Sequence, residues 1–115
     1  MNGFVIINDC LQEMEAGDVS VYDSATNALR AMEVHDIGDD NIHIYDDAGQ
    51  RLKLVLVYRD GKEDINFEET GTVFEGLADV LLQSAKVIGI VFEEDNPSFE
   101  ALVSALYRYS PNPYA

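Results

Sequence analysis

The sequence has one cysteine, no long apolar run and few basic residues, and each shortage excludes a class of protein. Cys10 has no second cysteine with which to form an internal disulfide. The longest apolar stretch, at 87–92, has the length of a strand and falls well short of the ~18 residues of a membrane-spanning helix. The first residues, MNGFVIINDC, lack the basic and apolar segments of a secretory signal. We therefore expect a cytoplasmic protein without a membrane partner.

The shortage of basic residues gives the chain a strongly negative charge. Lys and Arg number 7 against 22 Asp and Glu, for a formal net charge of −15. Nucleic acid and anionic membranes are therefore poor partners, whereas a cationic protein would be attracted over a distance. Hydrophobic residues make up 47% of the 115, so this acidity belongs to a folded protein and not to a disordered tail. The length predicts a single domain over 1–115.

Periodicity in the first part of the chain predicts strands around one short helix. Apolar runs at 4–8 and 18–22 are typical of strands, and alanine and leucine at helical spacing predict a helix over 25–32, capped by Asp23 or Ser24. A period of two then returns in three segments. They are separated by the turn sequences DDAGQ at 46–50 and Asp60-Gly61, a strong hairpin signal. These three strands predict an antiparallel meander.

The last part of the chain predicts two helices with a strand between them. Thr72 and Glu75 have capping-box spacing and precede a helical stripe, which predicts a helix over 72–85. The segment KVIGIVFEE at 86–94 is typical of a strand. Asn96 and Pro97 are then suited to be the cap and the first residue of a closing helix. Pro111 and Pro113 would end the closing helix. The whole predicts an α+β domain, an antiparallel sheet with helices packed on one face and the other face free.

The acidic cluster EVHDIGDDNIHIYDDAGQRL at 33–52 fits neither a metal site nor an active site. Neither acidic window has the oxygen spacing and closing glutamate of a calcium loop, and no HxxxH or CxxC occurs, so we expect no metal and no cofactor. The chain has no nucleophile elbow, P-loop or dinucleotide fingerprint. Cys10 with His35 or His43 is an open alternative, but a small core cysteine and solvated histidines are simpler interpretations. We expect a protein that is not an enzyme.

The remaining interpretation is an anionic surface for binding a protein. Turn chemistry alone explains each aspartate near Gly49, and also Asp60. The chain nevertheless has four acidic patches, at 33–40, 46–47, 66–70 and 92–96, and together they exceed what solubility requires. Tyr58 is expected at the edge of the core, and Tyr45 is the aromatic residue most suited to an interface. The candidate partner-binding residues are Asp36, Asp39, Asp40, Tyr45, Asp46 and Asp47, with Glu68, Glu69, Glu93, Glu94 and Asp95 as a second group.

The segment SVYDSATNALRAMEVHDIGDDNIHIYDDAGQRLKL, at 20–54, resembles a pattern of small bacterial immunity proteins. In that pattern a short alanine-containing helix is followed by a strand, an acidic turn with glycine and a further strand. The resemblance implies a cytoplasmic protein that neutralises the C-terminal domain of a polymorphic toxin, including those of contact-dependent growth inhibition. The toxin domain is frequently a nuclease and is expected to be basic. No family residue can be transferred as a contact, because such binding surfaces diverge quickly.

Two other functions fit the same composition. Secretion chaperones for injected effectors are also small, acidic and α+β, but they dimerise and hold an extended segment of the effector in apolar grooves. An inhibitor that mimics nucleic acid would instead bind several cationic proteins with steep salt dependence. The number and folding state of the partners distinguish these functions from that of an immunity protein. For the latter we expect Asp46→Lys or Asp47→Lys to slow association.

Overall fold

The computed structural model describes residues 3–10 and 18–109, which form five strands and three α-helices. The strands are β1 (Val5–Asp9), β2 (Asp18–Tyr22), β3 (Ile42–Asp46), β4 (Gln50–Arg59) and β5 (Lys62–Val73). The helices are α1 (Ala25–Arg30), α2 (Leu77–Val87) and α3 (Phe99–Tyr109), and a 3-10 turn spans Val34–Asp36.

The strands form one sheet in the order β2-β1-β3-β4-β5, and all neighbours are antiparallel. The segment with α1 carries the chain from β2, past β1, to β3. The predicted meander is present as β3, β4 and β5, and the predicted α+β class is confirmed. Within the described ranges, no helix has the length and apolarity needed to cross a membrane.

Alternating side chains of the strands supply two hydrophobic clusters, one on each face of the sheet. Ile6, Val21 and Tyr45 pack against buried residues of α2 and α3. Val5 and Ile7, which point the other way, belong to a cluster around Ala28 of α1, Ile44 and Leu54. Two helices therefore share one face, as expected. The expectation of a free opposite face is wrong, because α1 covers part of it.

Several local signals in the sequence act as predicted. Ser24 is the N-cap of α1, and its side-chain oxygen accepts a hydrogen bond from the Asn27 amide at 3.1 Å. Asp60 and Gly61 connect the paired residues Arg59 and Lys62, and both have positive φ, 52° and 75°. This is the type I′ geometry that favours a two-residue hairpin.

The predicted helix over 72–85 begins too early. Thr72 belongs to β5, whose last residue Val73 pairs with Gln50, and α2 begins at Leu77 after Gly76. A bulge extends the strand: between the pairs Gln50–Val73 and Leu52–Glu69, β5 advances four residues and β4 two. The capping-box pattern is local, whereas the pairing that overrides it comes from distant residues.

The predicted strand at 86–94 is also wrong, because α2 continues through Val87 and ends in a glycine cap. Gly89 has φ of +93°, its amide donates to the Lys86 carbonyl at 3.1 Å, and the Ile90 amide donates to the Ala85 carbonyl at 2.9 Å. These bonds form a Schellman motif, which satisfies carbonyls at the helix end. No described residue of 88–98 lies in a strand.

The start of α3 differs by two residues from the prediction. Ser98, not Asn96, caps the helix, because its side-chain oxygen accepts from the Ala101 amide at 3.1 Å and its carbonyl accepts from the Leu102 amide. Pro97 precedes the cap. The prediction that Pro111 and Pro113 end the helix lies outside the described residues.

Candidate protein-binding surface

The candidate surface lies where β3 and β4 separate. These strands share only two residue pairs, Ile44–Leu52 and Tyr45–Arg51, whereas β4 stays paired with β5 as far as the Asp60-Gly61 turn. We call residues 52–69 the ribbon. The twelve residues of β5 extend roughly 40 Å at ~3.4 Å per residue, and the described residues measure 52 × 24 × 21 Å overall. The ribbon therefore projects beyond the three other strands.

Residues 33–41, which we call the acidic loop, lie beside the base of the ribbon. Several of their carboxylates hold the loop itself. The Asp36 carboxylate accepts from the Glu33 amide at 2.7 Å, and that of Asp39 accepts from the Asn41 amide at 2.9 Å. The exposed His35 ring lies between carboxylates, 3.1 Å from Glu33 and 3.6 Å from Asp36. Turn chemistry therefore accounts for part of this cluster, and the exposed Asp40 remains available to a partner.

A cleft of about 350 Å³ separates the acidic loop from the ribbon. Aspartates line one side of it, the apolar side chains of neighbouring β3 and β4 residues line its base, and two basic residues lie on β4. The lining includes Asp36, Asp39, Asp40, Ile42, Ile44, Leu52, Leu54, Arg51 and Lys53. The described residues contain no group of three or more His, Cys, Asp or Glu suited to a metal ion. The cleft has the mixed character of a protein-contact surface.

Glu68 and Glu69 lie on the ribbon next to this cleft. They pair across the ribbon with Lys53 and Leu52, both of which line the cleft, and both glutamates are exposed. The nearby bulge at 70–72 is held by Thr70, whose hydroxyl donates to the Arg51 carbonyl at 2.8 Å. The fold thus brings Glu68 and Glu69 to the same end of the molecule as Asp39 and Asp40.

Asp46 and Asp47 lie at the other end of β3. One Asp46 oxygen accepts from the amides of Ala48 and Gln50, both at 2.9 Å, and the other accepts from the Gln50 side chain at 3.2 Å. Asp47 Oδ2 is buried and has no hydrogen-bond partner among the described residues. The five residues of β3 separate this turn from the acidic loop by roughly 15 Å. The pair therefore belongs to a turn apart from the ribbon.

Glu93, Glu94 and Asp95 form a third location, in the connection between α2 and α3. All three are exposed. Glu94 and Asp95 border a hollow of about 220 Å³ that also includes Val91, which is 89% exposed. These residues belong to the helical layer, so they do not extend the surface at the ribbon.

Tyr45 and Tyr58 have the opposite exposure to that predicted for each of them. Tyr45 is wholly buried and stacks on Phe74 with ring centroids 5.5 Å apart, so the prediction that it presents its ring at an interface is wrong. Tyr58, predicted at the core edge, is 69% exposed near the tip of the ribbon, and Leu56 is also exposed. The hairpin signal at Asp60-Gly61 offered a clue, because residues beside a hairpin tip have few neighbours.

Cys10 and His43, the residues of one possible nucleophilic pair, lie near each other because two strand ends meet there. Cys10 is buried, and its amide donates to the Asn41 carbonyl at 2.9 Å. His43 Nε2 lies 3.2 Å from the Cys10 carbonyl oxygen. Both contacts attach the end of β1 to the start of β3, so backbone positioning accounts for them.

The Tyr107 hydroxyl contacts a carboxylate on the segment between β2 and α1. Partial burial raises the pKa of Tyr107, and the negative charge of Asp23, whose carboxylate accepts the hydroxyl hydrogen bond at 3.3 Å, raises it further. This contact joins α3 to the segment before α1.

The chain was compared with protein-family models, curated proteins and solved structures, and it matches none of them.

Proposed function

We propose that this chain is an immunity protein, which binds a bacterial toxin domain in the cytoplasm and neutralises it without catalysis. The observation that carries the proposal is the acidic loop beside a projecting ribbon. Asp39 and Asp40 on the loop and Glu68 and Glu69 on the ribbon are exposed at one end of the molecule. The exposed Tyr58 adds an aromatic residue of the kind that anchors protein interfaces.

The charge of this surface favours a basic toxin domain, of which a nuclease is the expected example. An enzyme that binds phosphates has a cationic site, and carboxylates at the matching positions attract it from a distance. A neutralising protein benefits from such steering because it must find its target while both are scarce. Electrostatic steering acts mainly on the association rate and decreases with salt.

The experiment that tests the proposal is affinity capture of the tagged protein from lysate of its own source, at 0.15 and 0.5 M salt. The expected result is one retained partner with a basic C-terminal domain that is toxic when expressed alone and harmless together with this chain. A toxin domain that stays active in the presence of the chain would contradict the proposal. Several salt-labile partners would indicate a nucleic-acid mimic instead.

Charge reversal then tests whether the ribbon end forms the interface. Glu68→Lys with Glu69→Lys is expected to lower the association rate with the captured domain by about tenfold at low salt. Glu93→Lys with Glu94→Lys makes the same change in net charge on the helical layer and is the matched control, with an expected decrease of threefold or less. Equal decreases would mean that net charge alone matters. Asp46 is unsuitable for this test because its carboxylate holds a turn.

A secretion chaperone is the second candidate, and one observation favours it. Val87 and Val91, at the end of α2 and after it, are 82% and 89% exposed, as expected for an apolar surface used in pairing or in holding an effector segment. Such a chaperone would be a dimer in sedimentation experiments and would retain an extended effector segment. A monomer that captures a folded toxin domain would exclude this candidate.

A further inference from the structure

The outer edge of β5 is a second feature of the ribbon with chemical consequences. β5 is the last strand of the sheet, so among the described residues no strand pairs with its outer edge. Every residue of β5 is exposed except Ile65 and Phe67, which are half-buried. A long exposed edge offers backbone donors and acceptors to an added strand.

The hairpin geometry determines which backbone groups face outwards. The two-residue turn makes Arg59 and Lys62 the first hydrogen-bonded pair, and hydrogen-bonded and non-hydrogen-bonded pairs then alternate along the ribbon. The outward N–H and C=O groups are therefore those of Glu63, Ile65, Phe67 and Glu69. Two contacts agree with this assignment: the Ile65 amide donates to Asp64 Oδ1 at 2.9 Å, and the Phe67 amide to Asn66 Oδ1 at 2.8 Å.

The side chains along the edge favour a cationic strand over a second copy of this chain. Four carboxylates, those of Glu63, Asp64, Glu68 and Glu69, accompany a single cation, Lys62. Two copies of β5 side by side would oppose carboxylates to carboxylates, which is destabilising. On one face of the edge lie Glu63, Ile65, Phe67 and Glu69. This order suits an incoming strand that has two apolar residues with a cation on either side of them. On the other face of the edge lie Asp64, Asn66 and Glu68.

We propose that the outer edge of β5, over 63–69, receives an extended cationic segment of the partner protein as an added antiparallel strand. This inference rests on the proposed function for the identity of the partner, but the edge is testable without it. In the free protein the side chains of Asp64 and Asn66 occupy two outward donors, and the incoming carbonyls replace them. The acidic residues select a cationic strand, and the backbone bonds fix its register.

The test uses a synthetic peptide as the probe, acetyl-Arg-Lys-Val-Thr-Val-Lys-Arg-amide. In antiparallel register its valines lie opposite Ile65 and Phe67 and its four cations opposite the four carboxylates. Two control peptides separate strand pairing from charge attraction. One is Val-Arg-Lys-Thr-Arg-Lys-Val, with the same composition, and the other is the first peptide with both valines N-methylated, which lack the amide hydrogens needed for pairing.

Amide chemical shifts of the labelled full chain are the readout. We expect the first peptide to shift the amides of Glu63, Ile65, Phe67 and Glu69 in a saturable way, and the N-methylated peptide to bind about tenfold more weakly. Equal affinities for all three peptides, with shifts spread over every acidic patch, would overturn the proposal. That result would mean simple charge attraction.

A matched pair of protein variants tests the outward amide directly. Both Glu63→Pro and Glu63→Thr remove the carboxylate. Only Glu63→Pro also removes the outward N–H, and it does so without removing a bond to β4. We expect Glu63→Pro to bind the peptide about three- to tenfold more weakly than Glu63→Thr, while both keep the amide spectrum of the folded sheet. Equal affinities of the two folded variants would overturn the edge assignment.

The same variants distinguish this inference from the proposed function. If a captured toxin domain is neutralised equally by Glu63→Pro and Glu63→Thr, the edge proposal fails and the immunity function stands. If the peptide binds in the predicted register but no toxin domain is neutralised, the edge proposal stands and the immunity function fails.

Discussion

At the scale of single residues, the carboxylates of this protein divide into those that hold turns and those that face solvent. Asp36, Asp39 and Asp46 accept hydrogen bonds from backbone amides within a few residues. Asp40 and Glu68 are exposed and accept no such bond from the residues that the structure describes. A count of acidic residues therefore overestimates the number available to a partner.

Replacing Asp46 by alanine is expected to destabilise the fold by about 1–2 kcal/mol, because the amides of Ala48 and Gln50 lose their acceptor. The measurement is the free energy of unfolding in urea. Asp46→Asn retains one oxygen acceptor and should lose less. The control Asp40→Ala, at an exposed position, should change the free energy by less than about 0.5 kcal/mol. Equal losses at both positions would contradict the structural role of Asp46.

The raised pKa of Tyr107 predicts that the protein loses stability as the pH becomes alkaline. Burial and the nearby Asp23 raise its pKa above 10.0, so the folded state favours the neutral phenol. This contribution is fully present below the unfolded pKa and is lost as pH rises through the higher folded pKa. Tyr107→Phe keeps the edge contact with the Phe4 ring but removes the ionisable hydroxyl.

The expected result is a smaller decrease in melting temperature between pH 9 and 11 for Tyr107→Phe than for the unchanged protein. Tyr109→Phe, at a position that is 62% exposed, is the control and should follow the unchanged protein. If the profiles of all three proteins coincide, the Tyr107–Asp23 contact does not contribute to stability in this range.

At the scale of elements, the boundaries of α2 show how local and distant interactions compete. Its start is delayed by the pairing of Val73 with Gln50, and its end is fixed by the Schellman bonds of Gly89 and Ile90. Positive φ at Gly89 carries the chain out of the helix, and a Cβ placed there would meet no atom within 4 Å. Any cost of a substitution at this site is therefore conformational.

Gly89→Ala is expected to destabilise the protein by about 1 kcal/mol, because a residue with a Cβ is disfavoured at positive φ. Gly89→Asn is the matched variant and should cost less, since asparagine tolerates the left-handed region better. Thermal and urea unfolding of the three proteins provide the comparison. An alanine variant as stable as the unchanged protein would contradict the cap.

The elements that the sequence predicted correctly are those whose cause is local. The Ser24 cap and the Asp60-Gly61 hairpin each depend on residues within one turn. The segment 86–94 failed because an apolar run suits a strand and a helix end equally, and Gly89 decides between them. The prediction of a helix start at Thr72 is wrong because β5 continues to Val73, which pairs with Gln50 of β4, and no local pattern reveals that pairing.

The candidate site was predictable in composition but not in arrangement. Asp40 and Glu69 were identified from charge, yet only the separation of β3 from β4 brings the acidic loop and the ribbon together. The prediction for Tyr45 is wrong because a two-residue period does not say which face of a strand is covered by α2. That assignment depends on where distant helices pack.

At the scale of the whole molecule, charge is the dominant feature. The excess of 22 acidic over 7 basic residues repels itself, and the folded state holds these charges closer together than the unfolded chain does. The exposed carboxylates lie at several separate places, including the acidic loop, the ribbon and the α2–α3 connection at 93–95. Stability should therefore depend on ionic strength even without a partner.

Raising NaCl from 0.01 to 0.15 M shortens the screening length from about 30 to about 8 Å, so repulsion across the molecule weakens while contacts within one turn persist. We expect the free energy of unfolding in urea to rise by on the order of 1 kcal/mol. Glu93→Lys with Glu94→Lys reduces the negative charge by four and should show a smaller rise. If the free energy of unfolding stays constant as salt is raised, self-repulsion does not limit the stability of this fold. If it falls, the salt-sensitive contacts are on balance attractive.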